Sequence, residues 1–425
     1  MIDQTLTFPA DFVWGSATAA HQVEGDNRHN DWWAHEIAPD TNAVEPSGIA
    51  CDHYRRFAED FRLLKHLGHA AHRLSIEWSR IEPEEGSINR AEIEHYRAVL
   101  SCLRELGIEP WVTMHHFTSP LWFARQGGFA KSENVDFFRR FVELLAREYG
   151  DIASHWCTIN EPNVVAEMGY RWGYFPPRLQ NPSLCADVLC NFFRAHTVAC
   201  KTLKSHAKLA PQVGITLAVM AQEPYRSESE SDRAFASRRD AEWNGVCFDA
   251  LRTGVFSYPD RTPVPISGLK ESSTFVGVQY YSRMRHDGAS GGPAPADPSR
   301  VMSQMGWEVY PEGKAPLLRR AAATGLPVYV TENGICCDDD RVRVDYIAEH
   351  LSIIDEVRRE GVDVRGYFYW SAMDNFEWNF GYGPKFGLIE VDRATLERRP
   401  RPSAHFFGDV IRGGKVTPEL VRRFL

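Results

Sequence analysis

Two glutamates in this 425-residue chain each end a short β-prone run beside an asparagine, in Thr158-Ile-Asn-Glu161-Pro162 and Thr331-Glu332-Asn-Gly334. Paired carboxyls are basic equipment for acid–base work, because one holds a proton while the other stays ionised. Facing each other, they suit cleavage of a glycosidic bond: one protonates the leaving oxygen, and the other attacks the anomeric carbon or activates water. Pro162 stops strand pairing beyond Glu161, and Gly334 permits a sharp turn beyond Glu332. Taken singly, each glutamate reads equally well as a cap on the following helix, where an acid suits the helix dipole.

What would bring the two together is the order of the elements. Apolar runs at 12–14, 70–76, 109–114, 156–159, 213–217, 275–279, 328–330 and 364–369 predict eight strands. Helical periodicity lies between them at 54–67, 93–106, 135–149, 186–205, 316–323 and 344–359, with Gly68, Gly107, Gly325 and Gly361 as stops. Eight β-then-α units without a linker predict the α/β class: one (β/α)8 TIM barrel over residues 1–425. In such a barrel the site forms at the C-terminal ends of the strands. Glu161 ends the fourth strand and Glu332 the seventh, across the mouth from one another. Residues 222–240 read as a polar loop leading into a helix. Residues 287–299, rich in Gly, Pro, Ala and Ser, read as a surface loop.

Composition narrows the partners. A net charge of −9 argues against nucleic acid, which needs a concentrated basic face. Nine cysteines without metal-ligand spacing predict no zinc site and a reducing, cytoplasmic setting. No signal-peptide pattern and no membrane span are expected. Aromatic residues make up 12% of the chain, enough to ask whether some serve a site rather than the core.

These segments resemble glycoside hydrolase family 1, the retaining β-glucosidase and β-galactosidase group. The resemblance runs from Phe8 to about Arg401. It is carried by Phe12-Val-Trp-Gly-Ser-Ala-Thr-Ala-Ala-His-Gln-Val-Glu-Gly25, Arg73-Leu-Ser-Ile-Glu-Trp-Ser-Arg80, Met114-His-His-Phe-Thr-Ser-Pro120, both glutamate motifs, Tyr369-Trp-Ser-Ala-Met-Asp-Asn-Phe-Glu-Trp378 and Gly381-Tyr-Gly-Pro-Lys-Phe-Gly-Leu388.

The resemblance implies Glu161 as acid/base, Glu332 as nucleophile, Arg73 and Tyr281 as hydrogen-bonding partners of Glu332, and Asn160 as the contact to the sugar 2-OH. It places Gln22, His116, Glu377 and Trp378 among the groups reading hydroxyls, Trp370 as the platform under the sugar, and Phe386 as a wall near the 6-position. His115 is the rival of His116. The implied reaction is retaining hydrolysis of terminal β-glucosides, with β-galactosides and β-fucosides as further candidates, and no cofactor. Substrates would be small oligosaccharides or aryl and alkyl β-glycosides.

The chain departs from the family pattern at several positions. Gln279 stands where the family usually has Asn, which leaves it outside the first tier. Phe117 replaces a common Trp, and Thr118-Ser119 replaces Asp-Leu. With Asn30-Asp31-Trp32-Trp33, these departures point to the branch with broader glycone tolerance. The 287–299 loop is expected to shape the entrance. Three alternatives stay open: a 6-phosphoglycosidase using Lys385, a silent sugar-binding barrel, and a metal-dependent hydrolase built on His115-His116.

Overall fold

A computed structural model describes residues 2–425; Met1, the first residue of the predicted unit, lies outside the described residues. The barrel strands are β1 Val13–Ala17, β2 Ala71–Ser75, β3 Glu109–His115, β4 His155–Asn160, β5 Gln212–Pro224, β6 Phe275–Asp287, β7 Val328–Asn333 and β8 Val364–Trp370. Each pairs in parallel with the next, and β8 pairs with β1, so the predicted barrel closes.

After these strands come α1 His53–His66, α2 Arg90–Glu105, α3 Val135–Tyr149, α4 Pro182–His206, α5 Glu230–Asp240, α6 Lys314–Ala322, α7 Asp340–Arg359 and α8 Pro402–Gly413. Helix α3 shows how the sequence seats them. Phe138, Phe141, Val142, Leu145 and Tyr149 recur every three or four residues and are the face it buries. Gly68, Gly107, Gly325 and Gly361 all lie at positive φ just beyond their helices, as expected of left-handed stops. The base of the barrel is plugged by rings. Trp111 is fully buried, with Phe275, Tyr329 and Phe368 centred 5.2, 4.8 and 4.9 Å away.

Two expectations need correction. Strands β5 and β6 run well past the predicted 217 and 279 and stay paired as far as Pro224↔His286, forming a two-stranded arm above the rim. The predicted loop at 222–240 therefore begins as strand, and the one at 287–299 begins as a short antiparallel pairing, Asp287↔Gly292 and His286↔Pro293. Whereas on β5 the apolar run itself continues through Ala218-Val219-Met220-Ala221, on β6 polarity hid the arm from an apolar-run criterion. Its charge is neutralised in place, because Arg283 meets Glu308 at 2.6 Å, Glu223 at 2.9 Å and Asp297 at 3.3 Å. No helix among the described residues is long and apolar enough to cross a membrane.

Candidate active site

A cavity of about 310 Å³ opens at the C-terminal ends of the strands and is lined by both glutamates. Strand register sets its floor. Asn160 lies opposite Thr216, Glu332 opposite Gln279, and Ala17 between Arg73 and Trp370.

Neither glutamate side chain caps a helix. Glu161 precedes a short helix, Pro162–Ala166, but its side chain accepts no capping hydrogen bond, and its backbone is left-handed at φ +44°. A bulky residue in that region is strained, and such strain concentrates at functional sites. Helix α7 is capped by Asp339, not by Glu332. Gly334 differs from expectation in its reason: a Cβ there would sit 1.7 Å from the carbonyl oxygen of Trp370. It is needed for close approach of two strand ends.

Glu332 is held by three donors. Arg73 donates to Oε1 at 2.5 Å, Gln279 donates to the same oxygen at 2.9 Å, and Tyr281 donates to Oε2 at 2.7 Å. Burial pushes the carboxyl above its ordinary range, while the Arg73 charge and the Tyr281 hydrogen bond pull the other way.

Arg73 is itself buried and also donates to Asn160 Oδ1 at 2.5 Å. That oxygen accepts further from Gln279 at 2.8 Å and Thr216 at 3.1 Å. The acceptor is thus saturated, and what Asn160 has left to offer is its Nδ2 donors. Gln279 is the residue the motif comparison underrated. Its signal was strand alternation: Gln279 and Tyr281 are two apart on β6, so both can reach the neighbouring Glu332.

Glu161 has no comparable set of partners. Burial, and then the negative charge of Glu332, push its carboxyl well above the ordinary range, with Arg73 opposing and Glu377 adding to the rise. Glu377 is pushed up to about 8, mainly by burial, with Glu332 adding to the rise.

His116 also lines the cavity, with Nε2 3.2 Å from Asn160 Nδ2 and its ring stacked 5.8 Å from Trp370. Burial, reinforced by Arg73, holds its pKa well below 6.5, so the ring is neutral. His115 turns away, with Nε2 3.1 Å from Ser119 Oγ among Phe129 and Phe192. The two histidines diverge and form no ligand pair.

Trp370, Trp378 and Phe386 line the cavity as well, and Phe386 lies 6.1 Å from the Tyr281 ring. Gln22 stands behind the lining. Its Nε2 donates to Phe376 O at 2.8 Å, to Asn375 at 3.0 Å and to Glu377 at 3.4 Å, while its Oε1 is buried without a partner. Phe117 is part of the wall, packed 4.9 Å from Trp378. Lys385 is not: its Nζ donates to Tyr382 O at 2.7 Å. No residue of 287–299 borders the cavity; Met305 and Trp307, further along, do. No motif marked those two, because their contribution is only shape and apolar surface.

Comparison with known proteins agrees over nearly the whole length. The model of glycosyl hydrolase family 1 matches residues 4–266 and 267–415. The chain is 32% identical to β-glucosidase A of Thermotoga maritima, covering 95% of this chain and 98% of that one. Among solved structures, a β-glycosidase from Pyrococcus horikoshii is 39% identical and superposes with a TM-score of 0.91, covering 99% of this chain and 98% of that one. A β-glucosidase from Thermotoga maritima in complex with glucoimidazole is 32% identical with a TM-score of 0.90, covering 96% and 99%.

Proposed function

The chain belongs to glycosyl hydrolase family 1, and from that premise we propose that this cavity removes terminal β-D-glucosyl residues by retaining double displacement. The observation that carries the division of labour is the asymmetry of the two carboxyls: three donors converge on Glu332, while burial and a neighbouring charge keep the proton on Glu161.

Glu332 attacks the anomeric carbon as Glu161 hands its proton to the leaving oxygen. Forming the ester removes the negative charge of Glu332. The pKa of Glu161 then falls, so it stays ionised after giving up its proton; it takes a proton from water as that water attacks the anomeric carbon and displaces Glu332, releasing the sugar with its configuration retained. Any acceptor hydroxyl could replace that water, so glycosyl transfer is an expected side reaction.

Asn160 Nδ2 is the donor for the 2-OH. Glu377, with Gln22 Oε1 beside it, supplies acceptors for the remaining hydroxyls; His116, whose Nε2 accepts from Asn160 Nδ2, has only its Nδ1–H left to donate, and Trp370 offers an apolar face to the ring. The Glu377 end offers a buried carboxyl group, and Lys385 is turned to Tyr382 O, which favours an unphosphorylated sugar, since a phosphate would need positive donors there. The nine free cysteines support a reducing, cytoplasmic setting.

The test is hydrolysis of 4-nitrophenyl β-glucoside, β-galactoside, β-fucoside and 6-phospho-β-glucoside, with the anomer of the first-formed sugar followed by NMR. The glucoside is expected to turn over with retention. Inversion would overturn the mechanism, and turnover of the phosphosugar alone would overturn the reading of Glu377.

A further inference from the structure

The outer part of the same cavity is built from different chemistry. Along a strand each residue advances about 3.3 Å, so Met220 on β5 lies roughly 13 Å beyond Thr216, which sits at the level of Asn160. Met284 lies still further beyond Gln279 on β6. Both border the cavity from the two-stranded arm. Met168 and Met305 border it too, so four of the chain's eight methionines meet there. Phe175, Trp243, Trp307 and Phe380 complete the wall.

The charges near this wall are turned outward or neutralised among themselves. Met168 and Trp243 each sit in a π-helical turn, Glu167–Arg171 and Ala241–Gly245. The acids beside them, Glu167 and Glu242, are bridged by Arg239 and Arg171, with Arg239 3.1 Å and Arg171 3.0 Å from Glu167. Arg283 on the arm is likewise taken by Glu308 and Glu223.

The outer wall therefore presents no charge and no carboxamide. Its polar side-chain atoms are two tryptophan nitrogens and the hydroxyls of Ser282 and Tyr174, and Ser282 already donates to Glu308 O at 2.9 Å. At the rim Phe380 is 39% exposed, so the apolar surface continues outward.

We infer that the leaving-group side of the cavity is built for an apolar alcohol, an alkyl chain above all, and not for a second sugar. This rests on the glucosidase reading of the inner site. A sugar leaving group would bring several hydroxyls to a wall whose side chains offer only two indole N–H groups, one of them the unpartnered Trp243 Nε1, and two hydroxyls, and each sugar hydroxyl left unpaired costs about tenfold or more in affinity. An alkyl chain loses nothing polar and gains about fourfold for each methylene removed from water. Methionine side chains, unbranched and polarizable, can fold around such a chain.

The test compares kcat/KM for methyl, hexyl and octyl β-D-glucoside with that for cellobiose. The three alkyl leaving groups are alike in basicity, so their ratios report the outer wall rather than bond cleavage. Octyl glucoside is expected to exceed methyl glucoside by at least about thirtyfold, with hexyl between, and cellobiose by at least about tenfold. Met220→Asn and, independently, Met284→Asn should each cut the octyl-to-methyl ratio at least about threefold. Cellobiose equal to or better than octyl glucoside, or a ratio unmoved in both variants, overturns the inference while leaving the glucosidase reading standing. Failure to hydrolyse even 4-nitrophenyl β-glucoside would remove both.

Discussion

The ends of β4 and β7 carry the same residue type next to the same residue type, yet the barrel treats them oppositely. Glu332 accepts from a guanidinium, a carboxamide and a phenol. Glu161 is buried in the same cavity, held in left-handed backbone, and meets repulsion from Glu332. The difference teaches that role follows environment: donors aimed at a carboxylate favour its charge, while burial without them favours the acid. The pH profile should then be a bell. Its acid limb belongs to Glu332, which must be ionised, and its alkaline limb to Glu161, which must be protonated.

Exchanging the members of this comparison gives the largest effects. Glu332→Ala should lose at least about 10⁴-fold in kcat on 4-nitrophenyl β-glucoside, because no other group can form the ester. Glu161→Gln should lose about 10²- to 10⁴-fold on alkyl glucosides but far less on 2,4-dinitrophenyl β-glucoside, whose leaving group needs no proton. For Glu161→Ala, added azide should restore turnover and give a β-glucosyl azide. The same behaviour in Glu332→Ala would mean that the roles are reversed.

Smaller changes weaken the asymmetry without abolishing it. Tyr281→Phe removes a donor to a charged group and should cost about ten- to a hundredfold in kcat/KM. That donor lowers the pKa of Glu332, so its loss raises the pKa and moves the acid limb to higher pH, while the alkaline limb stays. Gln279→Leu should do the same more weakly, by about threefold to tenfold, because its amide is neutral and shared with Asn160. An acid limb that does not move in either variant would show that Arg73 alone sets the ionisation of Glu332.

Much of this was legible beforehand because the motifs are local. Thr-Ile-Asn-Glu-Pro and Thr-Glu-Asn-Gly are contiguous, and helix stops such as Gly68 and Gly361 announce themselves by residue type. What stayed hidden is non-local or depends on shape. On β6 the upper arm is polar enough to read as loop, and its strand character comes from pairing with the neighbouring β5 and from Arg283 binding Glu223 of β5 together with Asp297 and Glu308. Gln279 looked like a departure from pattern. Only the register of β6 beside β7 shows that its longer amide spans Asn160 and Glu332 together. The aromatic excess divides in the same way, with Trp111 and its neighbours closing the barrel base and Trp370 and Trp378 lining the cavity.

The sequence by itself determined the eight-unit barrel, the two carboxyls and the strand ends that bear them, because periodicity and short motifs are properties of neighbouring residues. Only the tertiary structure decided how unequally the two carboxyls are surrounded, where Gln279 points, and that four methionines from separate segments converge on one wall. Those outcomes depend on burial and on distances between residues far apart in the chain, and neither exists until the barrel has closed.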